Sequence, residues 1–504
     1  MSTQLLTDKY QAQLDGVLNC YDRIIVNGSL QPLCYPQGMT RYLYEHQIKI
    51  FDYSQKFAEP LRDQIVHNAE QVAQAQGLQI EFIRQNNFRK EDRIQAILKE
   101  RGTEPGLVHI FSALERCDAY RPWYDKPTHH AYVRRDSGKC LHYYFYFIDA
   151  ELGLCYLRVP TWCPFRLQFY FNGHAWLAHQ LDQKGIAYDL LDNAFAHIAD
   201  YTVANQLSDQ FDPATLHRAL DTFAQRFCPV AEGLKLSYQW SICEAEYSTD
   251  LVFKHQRDLQ AFYPPLVETL IHTVKPSDIA TFLGRKLSGQ YQGEMGNRFN
   301  VRLLGTRLKH VMGPVSLKMY DKFSLILRME VTVNDVSFFQ QYRQVQHRDG
   351  QTEMKYAPMK KTIYSLSPLA EQLRAATRRY LEFLSAIATP EVGVQRLNRL
   401  SQTQVENQHH YTGFNLLAET DAAVLRLLLR GEFSISGLTA RAVRKLIPHK
   451  TRGQISRLLK RLRVHGLLKK VGRHYKYYLT EFGREVATTA LKLRELVVIP
   501  ALAY

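Results

Sequence analysis

One stretch concentrates residue types that handle phosphate and divalent cations, Gly305 to Asp335, GTRLKHVMGPVSLKMYDKFSLILRMEVTVND. The pattern VSLKMYDK predicts a strand ending in Tyr320, Asp321 and Lys322. After a turn at Phe323-Ser324, LILRMEVTV predicts its antiparallel partner. Arg328 and Glu330 lie two apart on that partner and share one face. Asp321 and Glu330 are the expected metal ligands, because hard cations such as Mg2+ or Mn2+ take oxygen donors held on a rigid frame. Lys322 and Arg328, with Arg307 nearby, suit the neutralisation of phosphoryl oxygens. The competing expectation is an ordinary hairpin with a cross-strand Lys–Glu or Asp–Arg pair.

The Y-D-K…R-x-E pattern resembles the core of the rolling-circle replication initiators of plasmids and filamentous phages, over this short segment only. That resemblance implies metal-dependent strand cleavage by transesterification, in which a Tyr hydroxyl attacks and stays attached to the 5′ end. Tyr320 is the candidate within the motif, and Tyr342, Tyr364 and Tyr380 are equal alternatives. The His-hydrophobic-His triplet of the better-known members is not in the chain. His109-Ile110-Phe111 and His142-Tyr143-Tyr144 each supply half of it. A further nuclease option is an RNase H-like core with scattered carboxylates, for which Asp22 and Asp149 stand at predicted strand ends.

The second informative stretch is Thr451 to Thr480, TRGQISRLLKRLRVHGLLKKVGRHYKYYLT. Ile455, Leu458, Leu459 and Leu462 form one apolar helical stripe. Thr451 is the expected N-cap and Gly466 the expected stop. Two short strands follow, with Gly472, Arg473 and His474 between them. Helix, stop, strand, basic turn, strand resembles the winged helix-turn-helix, of which the MarR-type regulators are one branch. The resemblance implies DNA binding through Arg452, Gln454, Ser456, Arg457, Lys460, Arg461 and Arg463 on the helix. Arg473, Tyr475 and Lys476 would form the wing beside the phosphates. Charge distribution supports the same end of the chain. Residues 421–504 carry 18 Lys and Arg against 5 Asp and Glu, which is +13 of the chain's total of +15. Basicity confined to one module is a sharper sign of a polyanionic partner than basicity spread evenly.

The elements that position these residues predict an α+β multidomain protein. Residues 1–130 alternate strands and helices, an α/β unit. Residues 131–400 form a β-hairpin-rich core with a helical insertion, residues 186–280 being mostly helical in pattern. Within the core, LHYYFYFID and LGLCYLRVPTW make a hairpin, and SPLAEQLRAATRRYLEFLSAIATP a long amphipathic helix. The cluster of cations and tyrosines in 341–364 suits a surface that tracks a nucleic-acid backbone. Residues 401–414 are the expected linker, and 415–504 the winged helix. The fragment Cys117–Gly138, with Trp123, His129, His130, Arg134 and Arg135, reads as a polar loop. No internal repeat is evident.

Apolar residues make up 45% of the chain and charged residues 22%, a globular composition. No apolar run is long enough for a membrane span, and the N-terminus lacks a signal-peptide core. Eight cysteines without a C-x-x-C pair suit reduced thiols of a cytoplasmic protein. No Gly-rich phosphate loop is present, so no nucleotide cofactor is expected. The chain is therefore expected to be a DNA-binding, DNA-processing protein of a mobile element (replication initiator, nickase or transposase-like), with Mg2+ or Mn2+ as cofactor. The alternatives are a transcription regulator, commonly a homodimer, or a non-catalytic scaffold for DNA or RNA.

Overall fold

The computed structural model describes residues 5–85, 87–286, 291, 293–302, 305–347, 349–387, 391–471 and 476–503. Helices and strands are mixed throughout, and the chain divides into two compact units, Met1–Ala388 and Thr389–Tyr504. Among the described residues, no helix is long and apolar enough to cross a membrane.

The first unit is built on one sheet of eleven strands. In chain order the strands are β1 (Leu14–Ser29), β2 (Ile80–Phe82), β3 (Gly106–Asp125), β4 (His130–Asp149), β5 (Gly153–Pro160) and β6 (Leu167–Asn172). A separate small hairpin follows, β7 (Tyr188–Leu191) and β8 (Ala194–Ile198). The sheet resumes with β9 (Gln239–Phe253), β10 (Met295–Arg302), β11 (Gly305–Met312), β12 (Val315–Lys322) and β13 (Ile326–Val333). Across the sheet the order is β10-β11-β12-β13-β9-β1-β6-β5-β4-β3-β2. The long strands β1 and β9 pair antiparallel at the centre. Outward from each runs a four-stranded meander whose last strand, β6 or β13, lies beside the long one. One strand order therefore occurs twice, although the sequence offers no repeat.

The boundary expected near residue 130 falls in the β3–β4 turn, so residues on either side of it share one sheet. The region 186–280 is mostly helical as its pattern predicts, but it also holds β7, β8 and the central strand β9.

One face of the sheet carries Leu167, Phe169, Phe171, Ala245, Tyr247, Leu251, Leu317, Met319, Leu327, Met329 and Val331 into a single large core. Helices complete that core, among them Leu366–Ile387, whose Leu369, Leu373, Ala376, Tyr380 and Leu384 are buried at helical spacing. On the other face the helix Gly173–Gln183 and the β7–β8 hairpin enclose a smaller cluster with Leu18 and Cys20. Between these covers lies a polar stripe of the sheet.

The second unit begins with the helix Glu391–Ser401 and a hairpin, Gln404–Glu406 with His409–Tyr411. The expected linker 401–414 is thus structured, and Phe414 sits in this unit's core. Helices Glu419–Leu428, Gly431–Ser436, Ala440–Leu446 and Arg452–Val464 follow, then the hairpin Leu468–Val471 with Lys476–Leu479, then the helix Glu481–Leu493. Leu438 bridges Tyr477 and so adds a one-residue third strand beside the hairpin. Ile455, Leu459 and Leu462 are buried as the stripe predicts. Gly466, at φ +81°, ends that helix in the left-handed region that suits glycine.

Candidate functional site

The polar stripe at the sheet centre is organised by a bulge. The β1–β9 register shifts between Tyr21 and Ile24, and a bulge of this kind turns consecutive residues toward one side. Asp22 and Arg23 both meet polar groups of the stripe, while Tyr21 and Ile24 enter the large core. Strand β9 presents Glu244, Glu246, Ser248 and Asp250 at period two, and β13 presents Arg328, Glu330 and Thr332. Strand β12 contributes Lys318, Tyr320 and Lys322. A close approach adds the last contributors: a Cβ on Gly173 would lie 2.2 Å from the Tyr21 carbonyl oxygen. Only glycine lets the helix start beside β1 there, which brings Asn172 and His174 to Asp22.

Two linked charge networks result. In the deeper one, Arg328 is fully buried. Its Nη1 donates to Asp22 Oδ2 at 2.9 Å, and its Nε and Nη2 grip Asp250 at 2.8 and 2.6 Å. Asp22 Oδ1 also accepts from Asn172 at 3.0 Å and Asn193 at 2.9 Å, with His174 Nδ1 3.4 Å away. Burial opposes ionisation of Asp22, but Arg328 and His174 outweigh it and hold the carboxyl well below the usual range. Lys322 donates to the Asn193 side chain. Burial, reinforced by Arg328, lowers its ammonium to about 8.

In the shallower network Lys318 Nζ bridges Glu246 Oε1 at 2.9 Å and Glu330 Oε1 at 2.5 Å. Tyr320 Oη donates to Glu330 Oε2 at 2.6 Å. Arg23, 40% exposed, covers this network by pairing with Glu244 and, at 3.2 Å, with Glu246. Burial disfavours both glutamates as anions. For Glu330 the ammonium of Lys318 prevails and the pKa falls. For Glu246 burial and the neighbouring Glu330 prevail and the pKa rises.

Asp22, Glu246 and Glu330 each turn one oxygen inward, and these oxygens lie within 4.8 Å of one another. Three converging carboxylates are the donor set that a hard cation takes. Lys318 stands between two of them, so a metal ion would have to displace its ammonium.

Of the residues singled out in the sequence, Tyr320, Lys322, Arg328 and Glu330 meet on this face. Asp321 does not. It lies opposite Leu327 in the β12–β13 register, whereas Glu330 lies opposite Lys318. Alternation along β12 puts it on the core side, so the expected Asp321–Glu330 ligand pair does not form; the carboxylates that converge with Glu330 are Asp22 and Glu246. Burial raises Asp321 to about 6. Asp149 caps a turn through the backbone N–H groups of Glu151 and Leu152. Arg307 lies two strands from Glu330, on β11. Among the alternative tyrosines, Tyr342 and Tyr364 are exposed and Tyr380 bonds His310 in the core.

In the second unit the helix Arg452–Val464 divides its polar residues between two tasks. Arg461 binds Asp421 and the carbonyls of Thr412 and Gly413, and lies 3.8 Å above the Phe414 ring. Arg463 and Lys460 both pair with Glu406. Gln454 and Thr451 cap the helix reciprocally. Arg452, Ser456 and Arg457 remain exposed. Arg452 and Ser456 line a cleft of about 740 Å³ with Arg441, Arg444 and Lys445 of the preceding helix. Lys476 is exposed at the start of its strand, while Arg473 and Tyr475 lie outside the described residues.

No family model, no curated protein and no solved structure matches the chain.

Proposed function

We propose that the chain is a DNA-binding protein of the DNA-processing class. In this reading the second unit is a winged helix-turn-helix and the sheet centre is a Mg2+ or Mn2+ site for strand cleavage. The observation that carries it is the cationic cleft between the helices Ala440–Leu446 and Arg452–Val464. Five side chains that could fold back onto carboxylates instead face solvent, Arg441, Arg444, Lys445, Arg452 and Arg457. Such a surface meets phosphates and guanine edges. At the sheet centre Glu330 is the natural acceptor of the Tyr320 proton. The phenolate oxygen would bond to phosphorus as the bond from phosphorus to the 3′ oxygen breaks, and that oxygen would take up a proton.

Incubation with supercoiled plasmid and Mn2+ or Mg2+, followed by denaturing gels with and without protease, tests cleavage. Nicked or protein-linked strands that disappear in Glu330→Gln and Tyr320→Phe support it. The pairing of every triad carboxylate with a Lys or Arg favours a second reading, a regulator that binds duplex and does not cut. In both readings Arg452→Ala with Arg457→Ala weakens duplex binding about tenfold or more and lowers the salt slope by about 2. Duplex affinity equal to that of the parent would overturn the DNA assignment.

A further inference from the structure

The distal part of β3–β4 is the segment that composition marks as a loop. It is a two-stranded ribbon, because β4 pairs with β5 only from His142 onward, while its pairing with β3 runs out to the Asp125–His130 pair. One side of the ribbon is anchored. Tyr120 and Val133 are buried. Tyr120 Oη donates to the Leu33 carbonyl at 2.7 Å, Tyr44 Oη donates to the Ala131 carbonyl at 2.6 Å, and the Val133 N–H donates to Thr40 Oγ1 at 3.1 Å.

The other side carries Arg121, Trp123, Tyr132 and Arg134. Arg121 lies directly opposite Arg134, and Trp123 opposite Tyr132. Like charges facing each other across a ladder destabilise it. The ribbon's carboxylates do not relieve this pair: Asp118 binds Arg135 and Arg166, Asp125 accepts from Thr128, and Asp136 accepts from the Ser137 N–H. The Arg134 guanidinium lies over the Trp123 indole, 3.9 Å from the ring centroid, and its Nε and Nη2 donate to Tyr132 Oη at 3.2 and 2.9 Å. Trp123 is 37% exposed.

We propose that this face of the ribbon binds single-stranded DNA, with Arg121 and Arg134 on successive phosphates and Trp123 as the base-stacking platform. Paired cations without counter-ions need an anion between them, and aromatic rings beside them suit unstacked bases. Tyr120, Ala131 and Val133 of the far side are held against the ribbon's own unit, so the face with Arg121 and Trp123 is the one left for a ligand. That suits laying a strand across it and does not suit insertion into a duplex groove. The proposal shares only the class of polymer with the proposed function and uses a different surface.

The test is fluorescence anisotropy of the full chain with labelled oligo(dT) between about 50 and 200 mM salt. Arg121→Ala with Arg134→Ala is expected to weaken binding about tenfold and to lower the salt slope by about 1.4. Trp123→Ala is expected to weaken it about fivefold or more with the slope kept. The double Arg variant should melt close to the parent, since removal of the repulsion offsets the lost contacts of Arg134 with Trp123 and Tyr132. In a background carrying Arg452→Ala with Arg457→Ala, which removes the duplex site's share of electrostatic binding, the ribbon variants should still weaken oligo(dT) binding by the same factors, which separates the two surfaces. Failure of the parent to bind oligo(dT), or unchanged binding in the ribbon variants, overturns the proposal. Equal competition by polyglutamate, with no dependence on Trp123, also overturns it.

Discussion

On β5 and β6 the polar face of the sheet is built chiefly from rings and amides, beside the partly exposed pair Arg158–Glu115. Tyr156 stacks on Tyr170 with centroids 5.0 Å apart, flanked by Gln168 and Asn172. Between β9 and β13, under the same strand order, that face carries Glu246, Asp250, Arg328 and Glu330 instead. Both halves share the opposite face as one apolar core. The scaffold therefore does not require fully buried charge, since the ion pair of the half with β5 and β6, Arg158 with Glu115, keeps 23% and 29% of its side chains exposed. Buried ion pairs seldom stabilise more than apolar packing of the same volume. Fully buried pairs gather at β9 and β13, where Asp22 of β1 also reaches Arg328, and that is what makes this place the candidate site.

Breaking the charged half should have the largest effect. Arg328→Ala leaves Asp22 and Asp250 buried without their cation and is expected to destabilise the first unit by about 3–5 kcal/mol. Gln168→Ala on the corresponding face of β6 is expected to change stability by less than about 1 kcal/mol. Urea denaturation of both variants checks the contrast, and equal losses would mean that the halves are not energetically distinct. Tyr170→Leu keeps apolar volume and removes the ring pair, for an expected loss of about 1 kcal/mol. The smallest effect sharpens the comparison by pH. Asp22 and Glu330 have lowered pKa values, so the stability they confer is present above the ordinary carboxylate pKa and is lost as pH falls through their folded values. Asp321, raised to about 6, has the opposite sign: its contribution is present below about 4 and is lost as pH rises through 6. Half-buried and so partly screened, it should yield about 1 kcal/mol at pH 7 in Asp321→Asn. Melting curves from pH 4 to 7 should show a flatter slope in that variant, and an unchanged slope would refute the assignment.

The sequence was most informative where local pattern and environment agreed. The β12–β13 hairpin forms as its alternation predicts, with Phe323 and Ser324 both at positive φ in the turn. The helices Leu366–Ile387 and Arg452–Val464 follow from their apolar stripes. Strand β9 was hidden because Glu and Asp are uncommon in strands. Yet Glu244, Glu246, Ser248 and Asp250 alternate strictly, a period-two signal for a polar sheet face. The β3–β4 ribbon was hidden by Pro122 and by clustered Asp, His and Lys, which are turn-like by composition. Asp22 looked like one strand-end acid among several. What distinguishes it is a bulge and a partner 306 positions away, Arg328, and neither has a local signature. The roles of Arg461, Arg463 and Lys460 were equally illegible, because their acceptors come from the hairpin and helix before them.

The central β1–β9 pairing has a consequence during synthesis. Strand β1 is complete at Ser29 and its partner begins only at Gln239. At roughly 5–20 residues per second, a ribosome needs about 10–40 s to make the intervening chain. Strand β6 is complete only at Asn172, so in the last third of that time it can close on one side of β1 while the other side offers open backbone groups, with Asp22 still lacking Arg328. A nascent chain with such an edge is a ready substrate for holding chaperones.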